Sequence, residues 1–162
     1  MRQSAGVVDE SADEITEALL MASRLLVGLS ARSIAHVDET ITITQFRTLV
    51  ILSSRGPSKI ADLATALDVQ PSTATRMVDR LVTAGLIDRH PNPHSRRELV
   101  IELTVRGHEI VDAVTARRRT EIAAVVAKMP EPDRRGLVRA LSAFTEAGGE
   151  THPAADGVGY QL

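Results

Sequence analysis

The sequence predicts a mainly α-helical chain with one small β-hairpin set into it. Three observations carry that prediction. Apolar residues recur at helical spacing through most of the 162 residues. Between Leu86 and Leu103 the period changes to short strand-like segments flanking a turn-rich tip. Helical spacing then resumes and runs to Gly148-Gly149.

Each element has its own local signal. Ser11-Ala-Asp-Glu14 has the capping-box form, and Ile15, Leu19, Ala22, Leu26 and Leu29 follow at helical spacing to about Val37. A second helix starts near Thr44, carries Phe46, Leu49, Val50 and Ile51, and stops at Arg55-Gly56-Pro57. Ser58 is the expected cap of a short third helix with Ile60, Leu63, Ala64 and Leu67. Asp68-Val69 then forms a tight turn, and Pro71 suits the first position of a fourth helix, where a missing N–H costs nothing. Ala74, Val78 and Leu81 form that helix's buried stripe, and Ala84-Gly85 ends it. Leu86–His90 and Leu99–Leu103 read as paired strands around Pro91-Asn-Pro-His-Ser-Arg96, with Leu99, Ile101 and Leu103 alternating against Val100 and Glu102. A long helix carries Ile110, Val111, Val114, Ile122, Val125, Val126 and Met129 until Pro130 and Pro132 break it. A last helix holds Leu137, Leu141 and Phe144. Residues 148–162, rich in Gly and Ala, read as a disordered tail.

Composition narrows the chemistry. The chain is 43% hydrophobic and 25% charged, an ordinary globular balance that can bury a core without staples. It has no cysteine, which excludes disulfides, thiolate metal sites, cysteine nucleophiles and thiol redox sensing. Residues 1–6 lack the apolar run of a signal peptide, and no stretch looks like the roughly 20 apolar residues of a membrane span, so a cytoplasmic protein is expected. Aromatics are limited to Phe46, Phe144 and Tyr160, which argues against stacking on single-stranded bases. Net charge is −2, but it is unevenly spread: from Gln70 to Arg106 six arginines face four acids, a local +2 in a chain whose remainder is −4. No glycine-rich phosphate loop, H-E-x-x-H or G-x-S-x-G occurs, so nothing favours an enzyme, and no cofactor is implied.

Short helix, tight turn and second helix make a helix-turn-helix, whose second helix enters the major groove of DNA, and the hairpin after it is a wing. Thr44-Gln-Phe46, Ile60-Ala-Asp-Leu-Ala64, Pro71-Ser-Thr-Ala-Thr-Arg-Met-Val-Asp-Arg-Leu81, Ala84-Gly-Leu-Ile87, Arg96-Arg97 and Leu103-Thr104 occur in the order and spacing of the MarR family of bacterial regulators. The resemblance covers roughly residues 11–147. It implies a homodimer built by interlocking terminal helices, binding of a palindromic double-stranded operator by both winged helices, repressor action, and release by a small-molecule effector. The corresponding division is an N-terminal dimerisation helix at 11–37, a winged helix-turn-helix at 44–104 and C-terminal dimerisation helices at 105–147. Two positions depart from the family pattern. Ser95 stands where an Asp commonly ties down the wing arginine, here Arg97, and Asp68 stands where Gly is usual. Asp tolerates the left-handed conformation better than most residues, so the turn is expected to survive.

The candidate DNA-binding residues are Ser72, Thr73, Thr75, Arg76 and Arg80 on the fourth helix and Arg89, Arg96 and Arg97 on the wing. Ser72 and Thr73 lie at a helix N-terminus, where N–H groups and the dipole favour phosphate. Arg76, one turn on, can bond guanine O6 and N7, worth about 1–3 kcal/mol of discrimination. Its bland alternative is a solvated arginine paired with Asp79. Wing-tip arginines suit a narrow minor groove, or else merely discourage edge pairing. Arg89 either touches backbone or pairs with Asp88 or Glu98, while His90 and His94 read as polar wing residues. Arg117-Arg118-Arg119 reads as a solvated face or dimer rim.

Excess apolar stripes on the terminal helices need burial, which two-fold pairing supplies. An effector crevice between those helices and the winged helix is assigned to Arg32, His36, Phe46 and Arg47. His108 and Asp112 have chelating i,i+4 spacing, and His36 with Asp38 or Glu39 extends the set, but a surface pair is the plainer reading and no metal is expected. The rival class is a winged-helix adaptor that binds a protein partner rather than DNA. Exposed Ser72, Thr73, Arg76 and Arg80 speak against it, because protein hot spots favour aromatic and aliphatic anchors.

Overall fold

The computed structural model describes residues 11–150. Most of the expected tail, from residue 151 on, lies outside them, as do residues 1–10. Helix α1 spans Ala12–Val37 and starts with the expected box: Glu14 N–H donates to Ser11 Oγ at 3.2 Å, and Ser11 N–H donates to Glu14 Oε2 at 2.9 Å. Helix α2, Ile43–Arg55, begins a residue earlier than expected because Thr42 and Gln45 form a second box. Helix α3 spans Ile60–Leu67.

The assignment of Ser58 as the α3 cap is incorrect. Lys59 is the N-cap and makes no side-chain cap bond. Ser58 instead exchanges both backbone hydrogen bonds with Ile101, each 2.9 Å, which adds a bridge to the hairpin edge. The extended chain after Pro57 thereby satisfies its backbone groups against a strand, so its hydroxyl is free to donate to Gly56 O.

Asp68 closes α3 in the left-handed region (φ 54°, ψ 48°), and α4 runs Pro71–Thr83 with Pro at its first turn. Strands β1 (Ile87–Asn92) and β2 (Ser95–Leu103) pair antiparallel, with Ile87 opposite Leu103, Arg89 opposite Ile101 and Asn92 opposite Ser95. Pairing thus extends further into the wing than expected, past a register shift at Pro91/Asn92 to leave only Pro93 and His94 at the tip. The expected alternation of β2 is also only partly kept. Ile101 and Leu103 are buried, but so is Val100, whereas Leu99 is 48% exposed. Adjacent residues point to opposite faces of a strand, so the base of β2 is covered on both sides.

Helix α5, Val105–Lys128, is joined tightly to the end of α4. Thr104 Oγ1 accepts from Gly107 N–H at 3.0 Å and donates to Gly85 O at 2.7 Å. A Cβ at Gly107 would collide with the carbonyl oxygen of Leu86, so this approach requires glycine. After Pro130 come α6, Glu131–Arg134, and α7, Leu137–Ala147.

One core joins the end of α1 to the first half of α5 through α2, α3, α4 and the hairpin base, with Leu49, Val78, Ile101 and Val114 all fully buried. The outer helices differ. Leu20, Met21, Leu25 and Val27 of α1 and Val138, Leu141 and Phe144 of α7 are exposed. Contrary to the sequence expectation, α1 is long and apolar enough, by length and composition alone, to cross a membrane. Its last turns nevertheless belong to the protein core, where Leu29 and Ile34 are buried and Ser33 Oγ lies 3.5 Å from Glu121 of α5.

Candidate nucleic-acid interface

Helix α4 divides cleanly into two faces. Ala74, Val78 and Leu81 are buried, whereas Ser72, Thr75, Arg76 and Arg80 are exposed and Thr73 is half-buried. Pro71 has no N–H to offer, and Thr73 and Ala74 N–H donate to Gln70 O at 2.9 and 3.1 Å, so Ser72 carries the remaining first-turn amide at the helix N-terminus. Thr75 turns its hydroxyl back onto Pro71 O at 2.9 Å. The anticipated alternative for Arg76 does not form: Asp79 pairs with Arg89 of β1. Among the described residues neither Arg76 nor Arg80 makes an ion pair. A cleft of about 320 Å³ runs between them and the start of α2, lined by Thr42, Thr44, Gln45, Thr73 and Met77. Sequence reasoning missed the contribution of Thr42, Thr44 and Gln45; the Thr-x-x-Gln cap was the signal that a helix end stood there.

The wing is tied to the helices by ion pairs. Lys59 Nζ donates to Glu98 Oε1 at 2.9 Å, and Asn92 Nδ2 to Glu98 Oε2 at 3.2 Å. The Lys59 bond keeps the Glu98 carboxyl below its ordinary value and raises the Lys59 ammonium above its own. Glu98 thus anchors a wing in which Ser95 replaces the usual aspartate. Arg89 pairs with Asp79, not with Asp88 or Glu98. Arg97 is exposed on β2, and Arg96 precedes it on the same strand. His90 faces two acceptors, with Nε2 2.9 Å from Glu102 Oε1 and Nδ1 3.3 Å from Pro91 O. The Pro91 carbonyl, followed by Glu102, raises its pKa.

The effector residues are not brought together. Phe46 belongs to the core, and His36 is exposed near the end of α1. Arg32 lies 3.9 Å from Glu121, and Arg47 the same distance from Glu150. Arg47 lines a cavity of about 410 Å³ bounded by α2, Ala66 of α3 and Gly149-Glu150 after α7. An apolar residue on a helix face has the same spacing whether it lines a crevice or fills a core, and Phe46 is buried in the core. His108 and Asp112 are exposed, and among the described residues no three His, Asp or Glu side chains gather as a metal set. Asp38 is occupied otherwise, accepting from Thr40 N–H and Oγ1 at 2.9 and 2.6 Å. Of the arginine triplet, Arg119 is exposed while Arg117 and Arg118 are half-buried, Arg117 within 3.2 Å of Glu121.

Comparison with known proteins agrees with this geometry. The MarR family model matches residues 41–99. The HTH-type transcriptional repressor NicR of Pseudomonas putida is 38% identical over 77 residues, 48% of this chain and 49% of its own length. The multiple antibiotic resistance protein MarR of Salmonella typhimurium is 38% identical over 72 residues, 44% of this chain and 50% of its own. The chain therefore aligns with about half the length of these curated relatives. The crystal structure of RV1404 from Mycobacterium tuberculosis extends the likeness: 65% identity, 90% of this chain, 99% of that one and a TM-score of 0.82. With the family match on the helix-turn-helix and the same fold along nearly the whole described chain, this protein belongs to the MarR family of winged helix-turn-helix transcriptional regulators, a family of regulators rather than enzymes.

Proposed function

We propose that the protein is a homodimeric repressor that binds a palindromic double-stranded operator in the cytoplasm through α4 and the wing. The observation that carries this reading is the exposed face of α4, where Ser72 stands at the helix N-terminus and Arg76 and Arg80, further along, have no ion-pair partners among the described residues. Ser72, Thr73 and Thr75 meet phosphates, Arg76 and Arg80 the major groove, and Arg96 and Arg97 the adjacent minor groove. Residues 44–104 form the DNA-binding unit; 11–37 and 105–147 supply the dimer, because exposed apolar residues on α1 and α7 need a partner. The same fold, at 23% identity and a TM-score of 0.62, occurs in a mutant MarR from E.coli that was crystallised with operator DNA. A small-molecule effector acts by favouring one separation of the two α4 helices over another.

The test is selection of bound duplexes from a random pool, then anisotropy on the enriched sequence across a salt series. An inverted repeat with steep salt dependence is expected, and Arg76→Ala is expected to weaken binding by roughly 5- to 150-fold while relaxing preference at one position per half-site. Arg97→Ala is expected to weaken binding with less effect on base preference. Equal weak binding to every duplex would overturn the operator reading.

A further inference from the structure

We propose that Asp79 and Arg89 are a positioning pair that fixes the angle between the wing and α4, and that Arg89 is not itself a DNA ligand. This rests on the operator reading above and assigns Arg89 a role within it. Asp79 follows Arg76 by three residues and immediately precedes Arg80, so a carboxylate stands on or beside the cationic face of α4. Left bare, it would repel the phosphates that those arginines attract. Arg89 of β1 covers it. The Arg89 side chain is the more enclosed of the two, 29% exposed against 54% for Asp79, which places it back against the helix rather than out in the groove.

The root of the wing explains why this bond sets an angle. Arg89 sits opposite Ile101, which is fully buried and hydrogen-bonded through its backbone to Ser58. The backbone behind Arg89 is therefore anchored, and its guanidinium reaches across to α4. The other strand has its own tie, Glu98 to Lys59 at the start of α3. One strand is linked to each helix of the helix-turn-helix. Groove-reading arginines on α4 and on the wing are thus set relative to each other before DNA arrives, which lowers the ordering cost of binding.

Two readouts test this. Asp79→Asn, Arg89→Ala and the double variant are compared for operator affinity across a salt series, and for amide hydrogen exchange of residues 87–92 in the free protein. Thermal melts confirm that each variant folds. The positioning pair predicts that Asp79→Asn weakens binding by up to about fivefold and speeds wing exchange, since a partly exposed pair contributes at most about that much. Arg89→Ala does the same, and in the Asp79→Asn background it costs little more. If Asp79→Asn strengthens binding, and Arg89→Ala lowers the salt slope by about one whatever stands at 79, Arg89 is a phosphate ligand and the proposal fails. Additive losses with unchanged wing exchange also overturn it. A parent protein without any operator would instead refute the proposed function, while hydrogen exchange on the free protein would still decide the wing contact.

Discussion

The middle of the chain and its two ends use apolar residues in opposite ways. From Leu29 to Val114, Leu, Val, Ile and Phe side chains from five helices and the hairpin converge on one core. On α1 before Leu29, and on α7, the same residue types face outward: Met21 is 65% exposed, Val138 80% and Phe144 54%. Helix α7 buries no residue at all. The middle is a finished folding unit within one chain. The ends carry comparable apolar periodicity but lack the surface that would complete them. Helical spacing therefore reports that a face is to be buried, without saying whether the partner lies in the same chain.

This contrast can be broken most directly at the ends. Met21→Glu with Leu25→Glu is expected to halve the mass seen by light scattering and to lower operator affinity by about 100-fold or more, because two half-sites no longer bind together. Unchanged mass and affinity would show that this face of α1 is not the subunit contact. A smaller effect, confined to stability, is expected from the middle. Leu49→Ala opens a cavity at a fully buried position and is expected to cost about 2–5 kcal/mol in denaturant unfolding. A loss below 1 kcal/mol there would mean that the core is looser than its burial indicates.

The smallest effect concerns the wing, which belongs to neither class. Both ring nitrogens of His90 face acceptors, a contact that only the doubly protonated ring satisfies fully. Its raised pKa means that the associated stability is present below about pH 6.5 and lost as pH rises through the raised value. Deprotonation leaves Asp88 and Glu102, directly opposed across the strands, without their cation. Exchange of wing amides is therefore expected to quicken with pH in the parent beyond the intrinsic rate increase, and His90→Gln is expected to remove that excess. An NMR titration placing His90 at or below the ordinary histidine value would contradict it.

Much of the frame was legible because its signals are local. The Ser11 cap, the left-handed Asp68, Pro71 at the head of α4 and the buried Ala74–Val78–Leu81 stripe each depend on residues within a few positions of one another. What escaped depends on residues far apart in sequence. Ser58 could have capped α3, but a strand more than forty residues later offered two backbone bonds. Arg89 had acids beside it on the hairpin, yet the geometry of the wing root gave it Asp79 on another element. Phe46 and the α1 face were ambiguous for a related reason: composition and spacing describe a surface, not what lies against it. In the candidate site, the exposure of Ser72, Thr75, Arg76 and Arg80 could be read from periodicity, whereas the extension of β2 through Arg97 and the ties that orient the wing could not.

The joint at Gly107 has a mechanical consequence. With Thr104 bonded to Gly85 and no Cβ separating Gly107 from Leu86, the first turn of α5 is packed and hydrogen-bonded directly against the end of α4 and the start of the wing. Helix α5 has 24 residues, about 36 Å of stiff rod. A tilt of about 5° at one end displaces the other by about 3 Å, a distance comparable to a hydrogen bond. A rearrangement of the outer helices that tilted this rod would act on α4 through a joint with no spare room, because Gly107 lies directly against the Leu86 carbonyl.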